Sequence, residues 1–387
     1  MLNKEKNIFQ QEQNDLLKTV LDNRFFIPWK ERYQMRNCCE DDELSFHLSE
    51  DSHLEIYLSA KCNQNCEYCY LIKNKGLYPE ELDNKENVLK NLAIFFNYLI
   101  GEEFCIKDIE YFSGEIWHTQ YGLDVLELTL EAIENGLQIE RVTIPSNCSF
   151  ILSDPQMHKI QRYINKFNEI GTPLTFSISI DGKVLEEKTR PLNSKKAIKD
   201  DDFYDKLFTF AQHNNFFFHP MVSSLSCKDW IENFKWWKEK CEEYDFFVNR
   251  AVMMLEVRNN DWTDETIDDY NNFMKYLIDS NIEELGGVEE FADALFTLTD
   301  KYEGYFGGYI PFGFGREDTF AGCSVSNSLT VRIGDLAICP CHRTAYNKYL
   351  YGKFVVENDE IVDIEALNPQ MAVRVLMANN NIAHHGC

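Results

Sequence analysis

From His53 onward the chain alternates between two textures. Short runs with a period of two give way to longer runs whose apolar residues recur every three or four positions. His53–Ser59 is the first short run and predicts a strand. Between Pro79 and Ile100, the residues Val88, Leu92, Phe95, Phe96 and Leu99 fall on one helical face. Asp108–Phe112 predicts the next strand and Leu123–Glu134 the next helix, with Gly136 as its stop. Arg141–Pro145 is a third strand, and Ser153 before Asp154-Pro155 opens a helix that Gly171 ends. Leu174–Asp181 is a fourth strand, followed by a helix from about Asp202 to His213. Phe216–Val222 and Ala251–Val257 predict a fifth and a sixth strand, followed by helices over Trp230–Tyr244 and Thr263–Ile282.

Six successive β/α units imply a parallel sheet with right-handed crossovers, which places its chemistry at the carboxyl ends of the strands. The alternation establishes an α/β domain; a barrel and a doubly wound sheet look alike at this level. The texture changes on either side. Residues 1–50 are a polar leader with one helical stretch near Asp15–Leu21, residues 51–285 are the α/β domain, and 286–387 are an extension. The extension opens with a possible helix, Val288–Lys301. A glycine- and aromatic-rich loop over Gly304–Gly315 and a short strand over Leu329–Ile333 follow.

Composition narrows the class. With 28 Phe and 19 Tyr, the core is expected to be aromatic-rich. A net charge of −26 repels phosphate backbones and anionic lipid, so neither nucleic acid nor membrane is an expected partner. Met1–Asn23 lacks the apolar centre of a signal peptide, and no stretch is long and apolar enough to span a bilayer. The expected location is cytoplasmic, where the 13 cysteines are not a disulfide framework. Cys38, Cys39, Cys105, Cys148, Cys227 and Cys241 have no ligand spacing and are expected to be mostly buried small hydrophobes.

The clustered cysteines differ. Cys62, Cys66 and Cys69 lie on one short loop after the first strand, with gaps of three and two residues. Three thiolates can hold three irons of a four-iron cluster and leave one corner open to a small molecule. A structural zinc site, with His53 or His47 as fourth ligand, is the alternative. Two further features follow later strands. In the fourth, Ser177, Ser179 and Asp181 share a face opposite Phe176, Ile178 and Ile180. Polar groups facing a barrel interior suggest a ligand, whereas an exposed strand would alternate in the same way. In the sixth, Glu256 would sit near the carboxyl end as a substrate-facing base, or would pair with Arg258.

The spacing C-x3-C-x2-C resembles the signature of the radical S-adenosylmethionine (radical SAM) enzymes. That resemblance implies an open (β/α)6 partial TIM-like barrel, a 4Fe-4S cluster on Cys62, Cys66 and Cys69, and S-adenosylmethionine on the free iron. It implies Tyr68 near the adenine. Ser113-Gly114-Glu115 stands where relatives carry Gly-Gly-Glu for the cofactor's amino group, with serine replacing the first glycine and no proline following. Asn147 is similar to the asparagine of a Thr-Asn-Gly turn. The resemblance places Ser177, Ser179 and Asp181 at the ribose and carboxylate, and makes Arg190 a partner for that carboxylate, which a guanidinium can grip with two hydrogen bonds. In the extension, Cys323, Gly334 and Cys339 resemble the start of a SPASM/Twitch domain, which holds auxiliary 4Fe-4S clusters. Pro340-Cys341-His342-Arg343, followed by Gly352, matches that domain's local motif. One signal points to Cys339 and the other to Cys341. A further cysteine run expected there is represented by Cys387 alone. A zinc knuckle built from Cys323, Cys339, Cys341 and His342 or Cys387 is the alternative.

The resemblance implies an enzyme that cleaves S-adenosylmethionine reductively, with flavodoxin or ferredoxin as reductant, and abstracts hydrogen from a peptide or protein substrate. Thioether or carbon–carbon crosslinking and side-chain oxidation both fit. The alternatives are radical chemistry on a small metabolite and a non-catalytic zinc- or cluster-binding scaffold.

Overall fold

A computed structural model describes residues 53–246 (apart from 75 and 195–198), 254–255, 262–284 and 328–368, with residues 11, 13–15 and 17. Its strands are β1 (His53–Ser59), β2 (Cys105–Ser113), β3 (Gln138–Ser146), β4 (Leu174–Ile178), β5 (Asn215–Phe218), β6 (Met221–Val222), β7 (Met254–Leu255), β8 (Ser328–Arg332), β9 (Ala337–Cys339), β10 (Gly352–Glu357) and β11 (Glu360–Ala366). Nine of them form one open mixed sheet in the order β11-β10-β9-β8-β1-β2-β3-β4-β5. β8 and β1 to β5 run parallel, each to its neighbour, and β9 to β11 continue the sheet antiparallel. The α/β reading holds, with the sheet left open as expected. The C-terminal strands continue that sheet on the far side of β1.

The principal helices are Lys85–Gly101, Gly122–Glu134, Asp154–Glu169, Asp201–His213, Trp230–Glu243 and Asp264–Glu284. The first begins six residues later than its periodicity suggests. Pro79 leads into a separate turn, Glu80–Leu82, and Asn84 caps the helix by accepting from the Asn87 amide at 2.9 Å. The fifth predicted strand is broken at Pro220. Proline has no N–H for the ladder, and the Met221 amide instead donates to the Asp181 carboxylate at 2.8 Å. β6 therefore leaves the main sheet and pairs with β7, the described part of the sixth predicted strand. Cys148, Cys227 and Cys241 are buried, as expected. The predicted Val288–Lys301 helix and the Gly304–Gly315 loop lie outside the described residues.

The sheet has two chemically distinct faces. Leu54, Ile56, Leu58, Ile109, Tyr111, Val142, Ile144, Phe176 and Ile178 are buried in the core, together with Val88, Leu92, Phe95 and Phe96 of the first helix. The opposite face is polar. Register aligns His53 with Asp108 and Arg141, and Glu55 with Thr330 on one side and with Glu110, Thr143 and Thr175 on the other. His53 lies between two carboxylates, Nδ1 3.1 Å from Asp108 and Nε2 3.1 Å from Glu110. Asp108 also accepts from Thr143 at 2.8 Å and from Arg141 at 3.2 Å. Glu55 accepts from Thr330 at 2.6 Å and from the His342 amide at 3.0 Å. Burial opposes charge on His53, but its hydrogen bonds to Asp108 and Glu110 outweigh it and push its pKa up to about 10. Burial likewise opposes charge on Glu55, yet the charge of His342 and the Thr330 hydrogen bond bring it down to about 2.

Replacing His53 with Gln removes the cation shared by Asp108 and Glu110. Below pH 6.5 or so, the expected cost is about 3–5 kcal/mol in urea unfolding. Because folding raises the pKa of His53, its contribution is complete below the unfolded value of 6.5 and fades as pH rises through about 10. The stability gap between wild type and H53Q should close over that window. A gap of constant size across it would contradict the assignment.

Candidate functional site

The cysteine loop leaves β1 at the carboxyl edge of the parallel strands, and neighbouring segments hold it from three sides. On the first side, β2 ends against its backbone. The Gly114 amide donates to the Ser59 carbonyl and the Glu115 amide to the Lys61 carbonyl, both at 2.8 Å. A Cβ on residue 114 would stand 2.4 Å from the Lys61 oxygen and 2.7 Å from that of Ala60. Glycine is therefore required where β2 meets the loop. At the loop's start, Asp83 accepts from the Ser59 hydroxyl and from Tyr121, the latter at 2.6 Å.

The second side is an antiparallel strap formed by residues 189–193. The Asn65 amide donates to the Pro191 carbonyl at 2.9 Å, Glu67 to Thr189 at 3.0 Å, and Asn193 back to Asn63 at 2.9 Å. Gln64 donates to the Arg190 carbonyl at 3.1 Å. The third side is the turn after β3. Asn147 donates to Asn63 Oδ1 at 2.8 Å, and its Nδ2 lies 3.9 Å from the Cys62 sulfur.

Asp181 ties these segments together. It is fully buried and accepts from the Tyr68 hydroxyl at 2.6 Å, the Thr189 hydroxyl at 2.6 Å, Arg190 Nε at 2.9 Å and the Met221 amide at 2.8 Å. The Arg190 guanidinium lies 5.1 Å over the Tyr68 ring and donates to the His219 carbonyl at 3.2 Å. Behind them, Glu186 accepts from the Asp181 amide at 2.9 Å and pairs with buried Lys199. Glu115 is also buried, and its partners are neutral: Ser146 at 3.0 Å, the Asn147 amide at 2.7 Å and the Trp117 amide at 3.4 Å. Burial pushes Glu115 up to about 7 in spite of them.

Cys62, Cys66 and Cys69 are free and partly buried. Burial pushes the Cys62 thiol up to about 12 and raises Cys66 further. Glu115 and then Cys69 raise Cys62 again, while on Cys66 Arg190 acts the opposite way and Cys69 and Cys62 raise it. His53 cannot serve this loop as a zinc ligand. It sits at the far end of β1, about 20 Å away along a seven-residue strand, with a carboxylate at each ring nitrogen. Among the described residues, no group of three or more His, Cys, Asp or Glu side chains is placed to hold a single metal ion.

The structure thus brings Cys62, Cys66, Cys69, Tyr68, Gly114, Glu115, Asn147, Asp181 and Arg190 together at one edge. Ser113 closes β2, Ser177 is buried on β4 opposite Pro145 and Phe217, and Ser179 lies just past β4, its amide bonded to the Ser146 carbonyl at 2.8 Å. Glu256, Cys323 and Cys387 lie outside the described residues. Cys339 is 1% exposed, and its thiol points at the Thr330 carbonyl, 3.8 Å away. Cys341 is partly buried beside Thr344, at 3.6 Å. Cys69 and Cys339 pack on one cluster that includes Tyr57, Leu71, Tyr78 and Leu350. Sequence reasoning missed Asp83, Asn63, Gln64, Glu186 and Lys199; of the strap it found only Arg190, through its Arg-Pro pair.

Asp181→Ala would free four donors and leave Arg190 buried without its carboxylate. The expected outcome, in protein without metal, is modification of the loop thiols by a thiol reagent at least a hundredfold faster, from a loss of about 3 kcal/mol or more. Cys148 and Cys241 should stay protected. Unchanged loop reactivity would show that Asp181 does not hold the loop.

No protein-family model and no curated protein matches the chain. Among solved structures it is similar to native anSMEcpe with bound AdoMet, at 17% identity and a TM-score of 0.49, over 78% of this chain and 77% of that one. It is also similar to Streptococcus suis SuiB bound to precursor peptide SuiA, at 13% identity and a TM-score of 0.45, over 76% and 60% of the two chains. A third similar structure is the coproporphyrinogen III oxidase HemN from Escherichia coli, described as a radical SAM enzyme, at 10% identity and a TM-score of 0.40, over 86% and 76%.

Proposed function

We propose that this chain is a radical SAM enzyme that abstracts hydrogen from a side chain of a peptide or protein substrate. One observation carries the reading: three unpaired thiols stand on a single loop that backbone and side-chain hydrogen bonds clamp at the carboxyl edge of a parallel sheet. The sulfurs themselves make only long contacts, of 3.4 to 3.9 Å, so the loop is held mainly by its other groups and is preorganised for a ligand bound through the sulfurs.

The surroundings fit the group. Cys62, Cys66 and Cys69 would hold three irons of a 4Fe-4S cluster, with no fourth protein sulfur on the loop. At the rim, the carboxylates of Glu115, Asp181 and Glu186 are buried beside two buried cations, Arg190 and Lys199. Arg190 pairs with Asp181 and Lys199 with Glu186, so Glu115 is the one carboxyl there without a cation of its own, and when ionised it would suit a cationic ligand such as a sulfonium. When bound, a reduced cluster supplies the electron that cleaves S-adenosylmethionine to the 5′-deoxyadenosyl radical.

The chain's own residues bind and orient. Asp181 and Arg190 hold Tyr68, and with it the loop, against the end of β4 and the start of β6. Asn147 sets the turn beside Cys62. Glu115 fixes the β3 turn to the end of β2, and its raised pKa leaves it able to exchange a proton near neutral pH. The polar face of β1 to β4 would face the substrate side chain below this rim. Flavodoxin or ferredoxin would be the electron donor, and an auxiliary cluster would use the Cys339–Cys341 segment with Cys323.

Replacing Cys62, Cys66 and Cys69 together with Ala should abolish formation of 5′-deoxyadenosine from S-adenosylmethionine under dithionite, at least a thousandfold. It should also lower the iron content of anaerobically reconstituted protein by one cluster. Persistent 5′-deoxyadenosine, or stoichiometric zinc with no iron in the wild type, would reject the reading.

A further inference from the structure

Gln64 stands between Cys62 and Cys66 on the loop, and its side chain is turned inward, at 3% exposure. The carboxamide nitrogen donates to the Arg190 carbonyl at 3.1 Å and lies 3.5 Å from the Glu186 carboxylate. A carbonyl and a carboxylate paired with Lys199 are acceptors only, so the amide fits just one way round. Its oxygen is thereby turned to Cys66, with Oε1 3.5 Å from the sulfur.

The neighbouring sulfur meets the opposite polarity. The Gln64 backbone amide donates to Cys62 Sγ at 3.4 Å, and Asn147 Nδ2 lies 3.9 Å from the same atom. Asn147 is fixed in that attitude: its nitrogen donates to Asn63 Oδ1 at 2.8 Å, and its oxygen accepts from the Ser149 amide at 2.9 Å. N–H donors favour negative charge on a sulfur, and a carbonyl oxygen opposes it. A protonated Cys66 suits the Gln64 oxygen, because the thiol can donate to it. Once Cys66 binds iron as a thiolate that donor is gone, and the negative end of the amide dipole faces a negative sulfur. Arg190 acts the opposite way on Cys66, but its guanidinium is bonded to Asp181 at 2.9 Å.

We propose that the Gln64 carboxamide oxygen, held against Cys66 by the Arg190 carbonyl and Glu186, lowers the reduction potential of the cluster on this loop. The inference rests on the iron–sulfur reading above and deepens it with a residue that tunes the group without ligating it. An added electron places more negative charge on the sulfurs, so a dipole whose negative end faces one of them disfavours the reduced state. The electron comes from the external donor, and no bond forms or breaks at Gln64. The direction suits the reaction, because a lower potential leaves the electron easier to pass on to a sulfonium.

The test compares the full wild-type chain with Gln64→Met, which keeps the length of the side chain and removes its oxygen. Both are reconstituted anaerobically with iron and sulfide, and the midpoint potential is read by electron paramagnetic resonance without S-adenosylmethionine. The signal of this loop is the one absent when Cys62, Cys66 and Cys69 are replaced by Ala. The expected result is equal iron content and about tenfold more reduced cluster in Q64M at a fixed potential near the midpoint, an upward shift of about 59 mV for one electron. Gln64→Asn, which keeps an amide but withdraws the oxygen, should shift the midpoint the same way. Asn147→Ala, which removes a donor facing Cys62, should lower it, a reversal that general loosening of the loop would not produce. A midpoint unmoved or lowered in both Gln64 variants, loss of iron from both, or an upward shift in N147A would overturn the proposal. Absence of iron from the wild type would reject the iron–sulfur reading and this proposal with it, whereas iron retained with an unmoved midpoint rejects this proposal alone.

Discussion

The carboxylate of Asp181 is the contact on which the site depends. It gathers a phenol from the cysteine loop, a hydroxyl and a guanidinium from the strap, and an amide from the start of β6. Each donor satisfies part of a buried charge that would otherwise be costly. The arrangement is mutual, since Tyr68 and Arg190 have no cheaper place for their polar atoms inside the protein. A loop rich in polar residues, with little apolar area of its own, thereby acquires a fixed shape. Gly114 completes the constraint from the other side by letting β2 approach the loop backbone to a distance no side chain would permit.

The two faces of the sheet divide the work. The apolar face binds the helices and supplies stability. The polar face is stabilised by pairing instead: His53 between Asp108 and Glu110, and Glu55 beneath Thr330 and the His342 amide. Parallel strands are usually apolar on both faces because helices cover both. Here one face is lined with paired charges in place of apolar residues.

Much of this was legible beforehand. The period of two in His53–Ser59 and the helical stripe from Val88 to Leu99 are local signals, and both elements formed where those signals lay. The cysteine loop was legible because thiol spacing has few competing explanations. What escaped was non-local. Nothing around Asp83 indicates that it will hold Ser59 and Tyr121, and nothing around residues 189–193 predicts a strap, since neither lies in a periodic element. The break at Pro220 was visible as a proline, but its consequence depended on an acceptor 39 positions earlier. Asp181 was singled out as a cofactor contact on the strength of a strand pattern. In the structure its four side-chain bonds are to the protein itself, and the strand ends three residues before it.

The position of β8 beside β1 has a consequence for biosynthesis. Glu55 and Thr330, joined by a hydrogen bond, are 275 positions apart. At ribosomal rates of roughly 5–20 residues per second, β1 waits about a quarter of a minute to a minute for this neighbour. Throughout that interval one flank of the strand presents bare amides and carbonyls, next to a loop of reduced thiols that oxygen or a stray metal could reach. The nascent chain therefore has a defined period of vulnerability.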